Sequence, residues 1–428
     1  AKYKDQSTTS DGSVEVAAAV AIANVNSVTV ADVASTGAQT ATGSATVSSK
    51  AASSSTVTAD GSSASGGVGV GAAVGVNVGV LVNQARIADS ASVSSNGLTV
   101  SAVMPAAGKN SFVTSATSGA GASNVGVAGA LATNVLVNTT VASIEGDTNS
   151  SGSGASVNAN GGDVVVESAN ASESKVTAGA SVKPASATEP AAVGVGASVG
   201  MNVAVNTTAA EVGNAAVVSN ANNLDLTAKS DHALTNTVTG GASGADISVT
   251  PVAAITVAVN TTTARLGTGT QLDLLGAYTS SAEQTSSSTV TATGQTQGNN
   301  VAVGASIALN SSTDTVAADI DRDISATGDV TVGAVSSSTS SASATASATG
   351  GEKAAAGDAP PAKPDGSASK TVDQKVTAQG DAAKTTGKKT AAAAPASTST
   401  ATTGTAAKLD GAQEAPKTED NSQGSGGV

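Results

Sequence analysis

The sequence predicts an all-β protein built as a repetitive β-solenoid, or β-helix, and three observations support this fold class. Long stretches alternate apolar residues with small or polar ones, and a period of two is that of a β-strand. A short motif recurs at nearly constant spacing along most of the chain, as in repeat proteins. Only 1% of the 428 residues are aromatic although 39% are hydrophobic. Apolar area must therefore be buried by many small side chains in thin stacked layers.

The alternating stretches are clearest at residues 68–82 and 193–205, where Val alternates with Gly, Ala, Ser or Asn. Because branched Val suits a buried pleated surface, we expect the Val side of these strands to fill the interior. The Gly and Ala side permits close approach by another layer, either a strand layer of the same chain or a second copy. Near Pro251 the alternation shifts by one residue, which predicts a β-bulge.

The recurring motif is the tripeptide Ala-x-(Ile/Val/Leu), whose spacings are 54, 57, 68, 54 and 54 residues. The six copies begin at Ala31, Ala85, Ala142, Ala210, Ala264 and Ala318. They define six units of about 54 residues, and the two longer spacings are explained by Gly-, Ser- and Pro-rich insertions, which are typical of loops. The predicted units are 12–66, 67–122, 123–190, 191–244, 245–300 and 301–350.

The sequence allows two packings of one unit. A unit either makes about three coils of ~18 residues, or makes one coil with a long two-stranded arm, and the unbroken alternation favours long strands. Residues 1–11 form a polar N-terminal segment, and residues 351–428 form a low-complexity tail rich in Ala, Lys, Pro and Thr. The composition of the tail predicts a disordered linker, although residues 370–378 alternate weakly and could add a strand.

Composition and charge argue against several classes of function. The net charge of -13 disfavours nucleic-acid binding, which requires a basic footprint. The chain has no Cys, which excludes disulfides and thiol catalysis. Its apolar runs are interrupted by polar residues, so no transmembrane span is predicted. The single histidine, His232, has no matching catalytic partners in the sequence, so we expect it to be exposed in a loop. The three aromatic residues are dispersed, so no enzyme activity is expected.

Asparagine recurs at two fixed positions before the motif alanine. Asn77, Asn134, Asn202 and Asn310 lie eight residues before it, and Asn138, Asn206 and Asn260 lie four before it. If equivalent positions stack, their amides can form a hydrogen-bonded ladder that caps the edge of a coil. Asn138, Asn206, Asn260 and Asn310 also match the Asn-x-Ser/Thr sequon, so glycosylation is the alternative.

Two further patterns suggest ligands. Asp319, Asp321 and Asp323 alternate with other residues, which places three carboxylates on one strand face and predicts either a solvated acidic face or a calcium site. No other cofactor is expected. Threonine rows at residues 56–58 and 289–293 raise the hypothesis of an ice-binding face, although exposed Thr is also ordinary strand chemistry.

Three segments carry a resemblance to a known family. They are residues 193–212 (VGVGASVGMNVAVNTTAAEV), 134–144 (NVLVNTTVASI) and 310–320 (NSSTDTVAADI). They resemble the repeats of the leukotoxin-type filamentous adhesins of Gram-negative bacteria, which are large secreted β-helical surface proteins, and the similarity extends over residues 12–350 at the level of the repeat. The resemblance implies an extracellular or cell-surface location and a fibrous role in adhesion and biofilm.

Two functions follow as hypotheses. The first is a non-enzymatic structural protein, the fibre or stalk of an adhesin-like surface filament that self-associates through β-sheet stacking. The second is a binding module that displays loops to a host or cell-surface glycan or protein, with the solenoid as a spacer. The insertions at residues 145–154 and 183–190 are the candidate loops.

Overall fold

The structure is a computed structural model that describes residues 2–7, 13–63, 67–106, 108–147, 154–184, 192–244 and 246–350, the first of these ranges and residue 184 as backbone only. Within these ranges the chain forms 21 β-strands and no helix. The predicted all-β class is therefore confirmed. The tail at 351–428 and the weak alternation at 370–378 lie outside the described residues.

From residue 125 onward the strands follow one another in a repeating order of one long, one short and one long strand, whereas in the first two coils the second long strand is split into two shorter ones. Their bounds are β1 Lys2–Ser7, β2 Val14–Val33, β3 Ala38–Thr40, β4 Ala45–Lys50, β5 Ser54–Ser63, β6 Val68–Ile87, β7 Ser92–Ser94, β8 Leu98–Val103, β9 Asn110–Ala122, β10 Val125–Ile144, β11 Ser156–Asn158, β12 Val164–Pro184, β13 Val193–Val212, β14 Val217–Ser219, β15 Leu224–Gly244, β16 Ile247–Leu266, β17 Leu272–Leu274, β18 Tyr278–Gly298, β19 Val301–Ile320, β20 Ile324–Ala326 and β21 Val330–Thr349.

Each unit makes one coil of the solenoid. In the fourth unit, β13 and β15 form the two long sides with 20 and 21 residues, and the three-residue β14 forms the short side. The prediction of long strands is thus confirmed, and the alternative of three short coils per unit is wrong. The long alternating stretches favour one coil per unit, because three short coils would require the alternation to break wherever the chain turns.

All strand pairs are parallel and connect equivalent strands of successive coils. The first long sheet has the order β2-β6-β10-β13-β16-β19, and the second long sheet has the order β1-β5-β9-β12-β15-β18-β21. In the second long sheet β4 also pairs with β8, and β8 with β12. The motif alanines lie in one register across the first long sheet. The repeat read from the sequence is therefore the coil of the structure.

The two faces of the first long sheet are the reverse of the prediction. In β6, Gly71 and Gly75 face the interior, whereas Val70 and Val74 face outward and are partly exposed. A Cβ atom added to Gly71 would lie 2.1 Å from the carbonyl oxygen of Gly119 in the second long sheet. The prediction that the Val side of the first long sheet fills the interior is wrong, because the backbone and side chains of the second long sheet already occupy the space opposite, as Val238 does opposite Gly200. The predicted close approach between the Gly/Ala side and a layer of the same chain is confirmed.

The predicted bulge at Pro251 is also wrong. The strand β16 pairs with β19 over all 20 residues without interruption. The alternation only seems to shift because Val252, one residue after the proline, faces inward and is buried. Space for it exists because Gly240 lies opposite, where an added Cβ would be 2.6 Å from Cγ2 of Val252.

Large side chains gather at one end of the cross-section, where the short strands separate the two long sheets. The largest buried hydrophobic cluster lies there and includes Ile87, Ile144, Leu224, Leu266 and Tyr278. A second cluster between the long strands is built almost entirely from Ala and Val. The cross-section is therefore a wide corner with a long, thin extension.

Candidate functional site

The first asparagine row crosses the interior between the two long sheets. Asn77, Asn134 and Asn202 are in register in the first long sheet and are fully buried. Nδ2 of Asn202 donates to the carbonyl oxygen of Ser174 at 3.0 Å, and the Ser174 hydroxyl donates to Oδ1 of Asn202 at 2.6 Å. Asn310 makes the same kind of bond to the carbonyl oxygen of Ser288 at 3.0 Å. These amides join the sheets in mid-strand, so the predicted capping of a coil edge is wrong for this row.

The fifth coil lacks an asparagine in this row and replaces it from the opposite sheet. Thr256 pairs with Asn202 on one side and with Asn310 on the other. Asn236 of β15 donates from Nδ2 to the carbonyl oxygens of Gly200 at 3.0 Å and Ile255 at 2.8 Å. Asn236 is not among the site residues predicted from the sequence. The signal for it was the interruption of the row at Thr256.

The second asparagine row runs along the solenoid axis and is a true ladder. Asn138, Asn206 and Asn260 are in register and are followed by Asp314. Nδ2 of Asn206 donates to Oδ1 of Asn260, and Nδ2 of Asn260 donates to Oδ1 of Asp314, both at 2.8 Å. The predicted stacking is confirmed for Asn206 and Asn260, whereas Nδ2 of Asn138 donates to Oδ1 of Asn170 in the second long sheet at 2.9 Å. Because each of the three asparagines in the row is 1% exposed, glycosylation at them is incompatible with the folded chain.

Asp314 ends this ladder and is surrounded by hydrogen-bond donors. Besides Asn260, its carboxylate accepts from Gln284 at 2.7 Å, Ser286 at 3.1 Å, Ser312 at 3.2 Å and Ser338 at 2.7 Å. Partial burial opposes ionisation, but the hydrogen bonds from Asn260, Ser338, Ser286 and Ser312 outweigh it and lower the pKa of Asp314. The cluster therefore satisfies a negative charge and does not offer ligands to a cation.

His232 lies beside the same ladder, in β15, with 1% of its surface exposed. The prediction of an exposed loop histidine is wrong. Its Nδ1 lies 2.7 Å from the Ser172 hydroxyl. Burial lowers the pKa of His232 to about 4 despite the attraction of Asp314, so the ring is neutral at pH 7. A Ser-His contact of this kind can activate a nucleophile, but both side chains are enclosed between the long sheets, where no substrate has access.

The three predicted acidic ligands do not share a strand face, because β19 ends at Ile320. Asp321 accepts a hydrogen bond from Nε of Arg265 at 3.1 Å, and Asp319 and Asp323 are exposed. Across the described part of the chain, no three Asp, Glu or His side chains gather as a metal site would require. The geometry gives the calcium hypothesis no support at this position.

Arg322, between these acids, has a structural role that the sequence analysis did not recognise. Its side chain is 9% exposed and its guanidinium donates to carbonyl oxygens of two earlier coils. The acceptors are Gly267, Thr268 at 3.0 Å, Gly213 at 2.9 Å and Ala216 at 2.7 Å. Burial lowers the pKa of Arg322. One planar group thus fastens the turns of three successive coils.

The outer faces of the two long sheets differ in chemistry. The first long sheet exposes aliphatic side chains on every strand, among them Ile22, Val80, Leu131, Val199, Val257 and Leu309. The second long sheet exposes mainly Thr, Ser and charged residues. Thr289, Thr291 and Thr293 of β18 stand in register with Thr235, Thr237 and Thr239 of β15. The rows are therefore more regular than the sequence suggested, and ice binding stays a prediction.

No helix in the described ranges is long and apolar enough to cross a membrane. Comparisons of the chain with protein-family models, with curated proteins and with solved structures give no match. The class of protein is therefore defined by its fold alone, a parallel β-solenoid with 20-residue strands.

Proposed function

We propose that this chain is a non-enzymatic structural protein of the cell exterior, the fibre or stalk of an adhesin-like surface filament that self-associates by stacking β-sheets. The fold supports a mechanical role, because every coil is joined to the next by two long parallel ladders. The resemblance of residues 193–212 to filamentous adhesin repeats supports the location and the adhesive role.

The observation that carries the proposal is the aliphatic outer face of the first long sheet. Leu131 is 37% exposed and Val199 is 40% exposed although both lie in central strands. Six strands and the first 13 or so residues of each give an apolar face on the order of 1,000 Å². A soluble monomer rarely exposes a contiguous apolar patch larger than a few hundred Å².

This face suits a second copy of itself. It is continuous over six strands, and most of its side chains are short and branched, so two such faces can interdigitate as in a β-sandwich. Its area matches the roughly 800 Å² per partner of a standard stable interface. Because the Gly/Ala faces are already packed inside the coil, the stacking surface is the Val face, and the sequence-based choice of the Gly/Ala face for contact between copies is replaced.

The test replaces two neighbouring residues of this face by an ion pair. Leu131 and Val199 are partners in register, so Leu131→Glu with Val199→Lys adds no net charge and places opposite charges side by side. The matched control is Thr177→Glu with Thr237→Lys, on partner residues of the second long sheet. Sedimentation and electron microscopy should show loss of lateral association only for the first variant. Unchanged association there, or equal loss in the control, would contradict the proposal.

The alternative of a loop-displaying binding module has no specific support. Of the two candidate loops, only residues 145–147, 154, 183 and 184 are described.

A further inference from the structure

The outer face of the second long sheet carries hydroxyl side chains in register over six strands. Thr289, Thr291 and Thr293 of β18 each lie beside a threonine of β15, and the same three positions can be followed through parallel pairings from β5 to β21. We call these positions the hydroxyl array. Its three rows are Thr58, Ser115, Thr177, Thr237, Thr291 and Ser343; Thr56, Val113, Lys175, Thr235, Thr289 and Ser341; and Asp60, Thr117, Gly179, Thr239, Thr293 and Thr345.

The hydroxyl array differs in composition from the rest of the same face. Its rows hold six, four and four hydroxyl side chains, 14 of 18 positions, and its charged residues are Lys175 and Asp60. The part of the face nearer the short strands is charged instead, and its outward residues include Glu167, Glu173, Asp225, Lys229, Asp231 and Glu283. A face that only has to be soluble usually intersperses its charges. The separation therefore favours a function for the array beyond solubility.

The hydroxyl groups of the array are held at regular distances. The branched side chain of Thr is restricted at χ1, which reduces the scatter between neighbours. The strands beneath have little room to shift, because the inward residues Asn236, Val238, Val290 and Ala292 are 0% exposed. Neighbouring strands lie about 4.8 Å apart, and successive outward residues of one strand lie about 6.7 Å apart. Threonines that share a rotamer therefore present a two-dimensional lattice of oxygen atoms with these repeats.

A lattice of hydroxyl groups favours a ligand that is itself a lattice of hydrogen-bond donors and acceptors. Each hydroxyl donates one hydrogen bond and accepts two, and hydroxyl groups at fixed positions order the waters that bridge them. The spacing of the strands is close to the shortest lattice repeat of hexagonal ice, so successive hydroxyls of a row can bond to successive oxygens of the crystal. Ice is uncharged, which suits an array with few charges, because a strongly hydrated ammonium group would hold water away from lattice positions.

Other partners fit the hydroxyl array less well. Aromatic rings offer sugar polymers a large apolar surface with a polar edge, but the two aromatic side chains that the structure describes, Phe112 and Tyr278, are fully buried. Acidic polymers require a cluster of cations, and Lys175 is the single basic residue of the array. A small molecule requires a concave site, whereas the array lies on the outward side of a continuous sheet.

We propose that the hydroxyl array binds the surface of ice, with its threonine hydroxyls bonded to the outermost layer of ordered water. This activity goes beyond the proposed fibre function and does not depend on it. The array and the aliphatic face belong to different long sheets, so one side of the solenoid can stack on a second copy while the other side binds the crystal.

The test measures how much protein enters a slowly growing ice crystal, with serum albumin as the reference for passive trapping. Thr237→Lys with Thr291→Glu places an ion pair on partner residues in the centre of the array and adds no net charge. The matched control, Thr227→Lys with Ser281→Glu, makes the same change on partner residues in the charged part of the face. We expect the unchanged chain and the control to enter ice several-fold more than albumin, and the array variant to fall to the level of albumin.

Circular dichroism of each variant separates loss of binding from loss of fold. If the central pair of substitutions unfolds the chain, Thr239→Lys with Thr293→Glu in the neighbouring row takes its place. Equal entry of the unchanged chain and albumin would overturn the proposal. Equal losses in the array variant and the control, or no loss in the array variant, would also overturn it.

Two further samples identify a different partner or a different face. Retention on microcrystalline cellulose that the array variant abolishes, with its entry into ice unaffected, would overturn the proposal in favour of a polysaccharide. Loss of ice entry only in the Leu131→Glu, Val199→Lys variant would assign ice binding to the aliphatic face and overturn the assignment to the array. Lateral association is measured separately by sedimentation, so a failure of the fibre function is distinguishable from a failure of ice binding.

Discussion

The two faces of the first long sheet carry side chains of opposite kinds in positions that seem contrary to their hydrophobicity. In β6 the buried face has Gly71, Gly75 and Gly79, whereas the outer face has Val at most positions. Burial of Val would remove more apolar area from water, but the backbone and side chains of the second long sheet leave no volume for it at these positions. The space available opposite each strand, and not the hydrophobicity of its side chains, therefore determines which face is buried.

Where the two long sheets lie close together, glycine in one sheet faces a larger side chain in the other. A Cβ added to Gly79 would lie 2.4 Å from Cε1 of Phe112, the single phenylalanine of the chain. Phe112 is fully buried because glycine opposite gives it room. Large residues from one sheet meet glycine from the other, which is the close packing expected of a protein interior.

The strongest test of the comparison is Gly71→Leu. Its side chain would collide with the backbone of Gly119 and Gly61, which cannot move without breaking the second long sheet. We expect a loss of about 3 kcal/mol or more in the free energy of unfolding, the upper part of the range for overpacking. Urea denaturation measures it. Ala72→Leu, one residue on and facing outward, is the control; equal losses in both would mean that the faces are not distinguished by space.

The second test uses pH and compares the buried His232 with an exposed titratable residue. The pKa of His232 is about 4 in the fold against 6.5 for an ordinary histidine, so between these values the unfolded chain binds a proton that the folded chain does not. The free energy of unfolding should therefore fall by about 3 kcal/mol as pH drops from 6.5 to 4, and the contribution of His232 should stay constant below that.

Replacing His232 by Gln should remove this slope, and Glu173→Gln on the outer face should leave it in place. Stability curves measured at closely spaced pH values decide the matter. A slope that survives in the His232 variant would assign the pH dependence to another group. The contribution of Asp314 is separable because its lowered pKa places its loss below pH 3.8.

The third test removes one amide that joins the sheets. Asn202→Ala leaves the Ser174 hydroxyl and carbonyl without their partner at a fully buried position. We expect a cost of about 2 kcal/mol, measured by denaturation. Asn26→Ala, which is outward and exposed, should cost less than about 0.5 kcal/mol. Similar costs for the two would show that the row contributes nothing beyond strand propensity.

The smallest effect is expected on the outer face. Val199→Thr keeps the shape and strand propensity of the side chain at a position that is 40% exposed, so the single copy should lose about 0.5 kcal/mol or less. If the Val face instead packs against a second copy, the same change should weaken association measurably. A large loss of stability in the dilute single copy would place Val199 in a core.

The fold class and the repeat could be predicted from the sequence because both depend on periodicity. The motif at Ala85 and Ala210 predicted one structural unit per copy, and these alanines do lie in one register. The stacking of Asn206 on Asn260 followed from the same spacing. The role of Asn236 could not be predicted from this spacing. A residue on the opposite sheet has no fixed distance in sequence from the gap in the row that it fills.

What the sequence by itself determined is the all-β solenoid, its 54-residue period and the positions that stack, since each follows from local alternation and from identical spacing. What only the tertiary structure decided is which side of each strand is inside. Alternation is symmetric with respect to the two faces, and the choice between them depends on the distance to the second long sheet. That distance also buried His232 and placed the carboxylate of Asp314 among hydroxyl and amide donors from other coils.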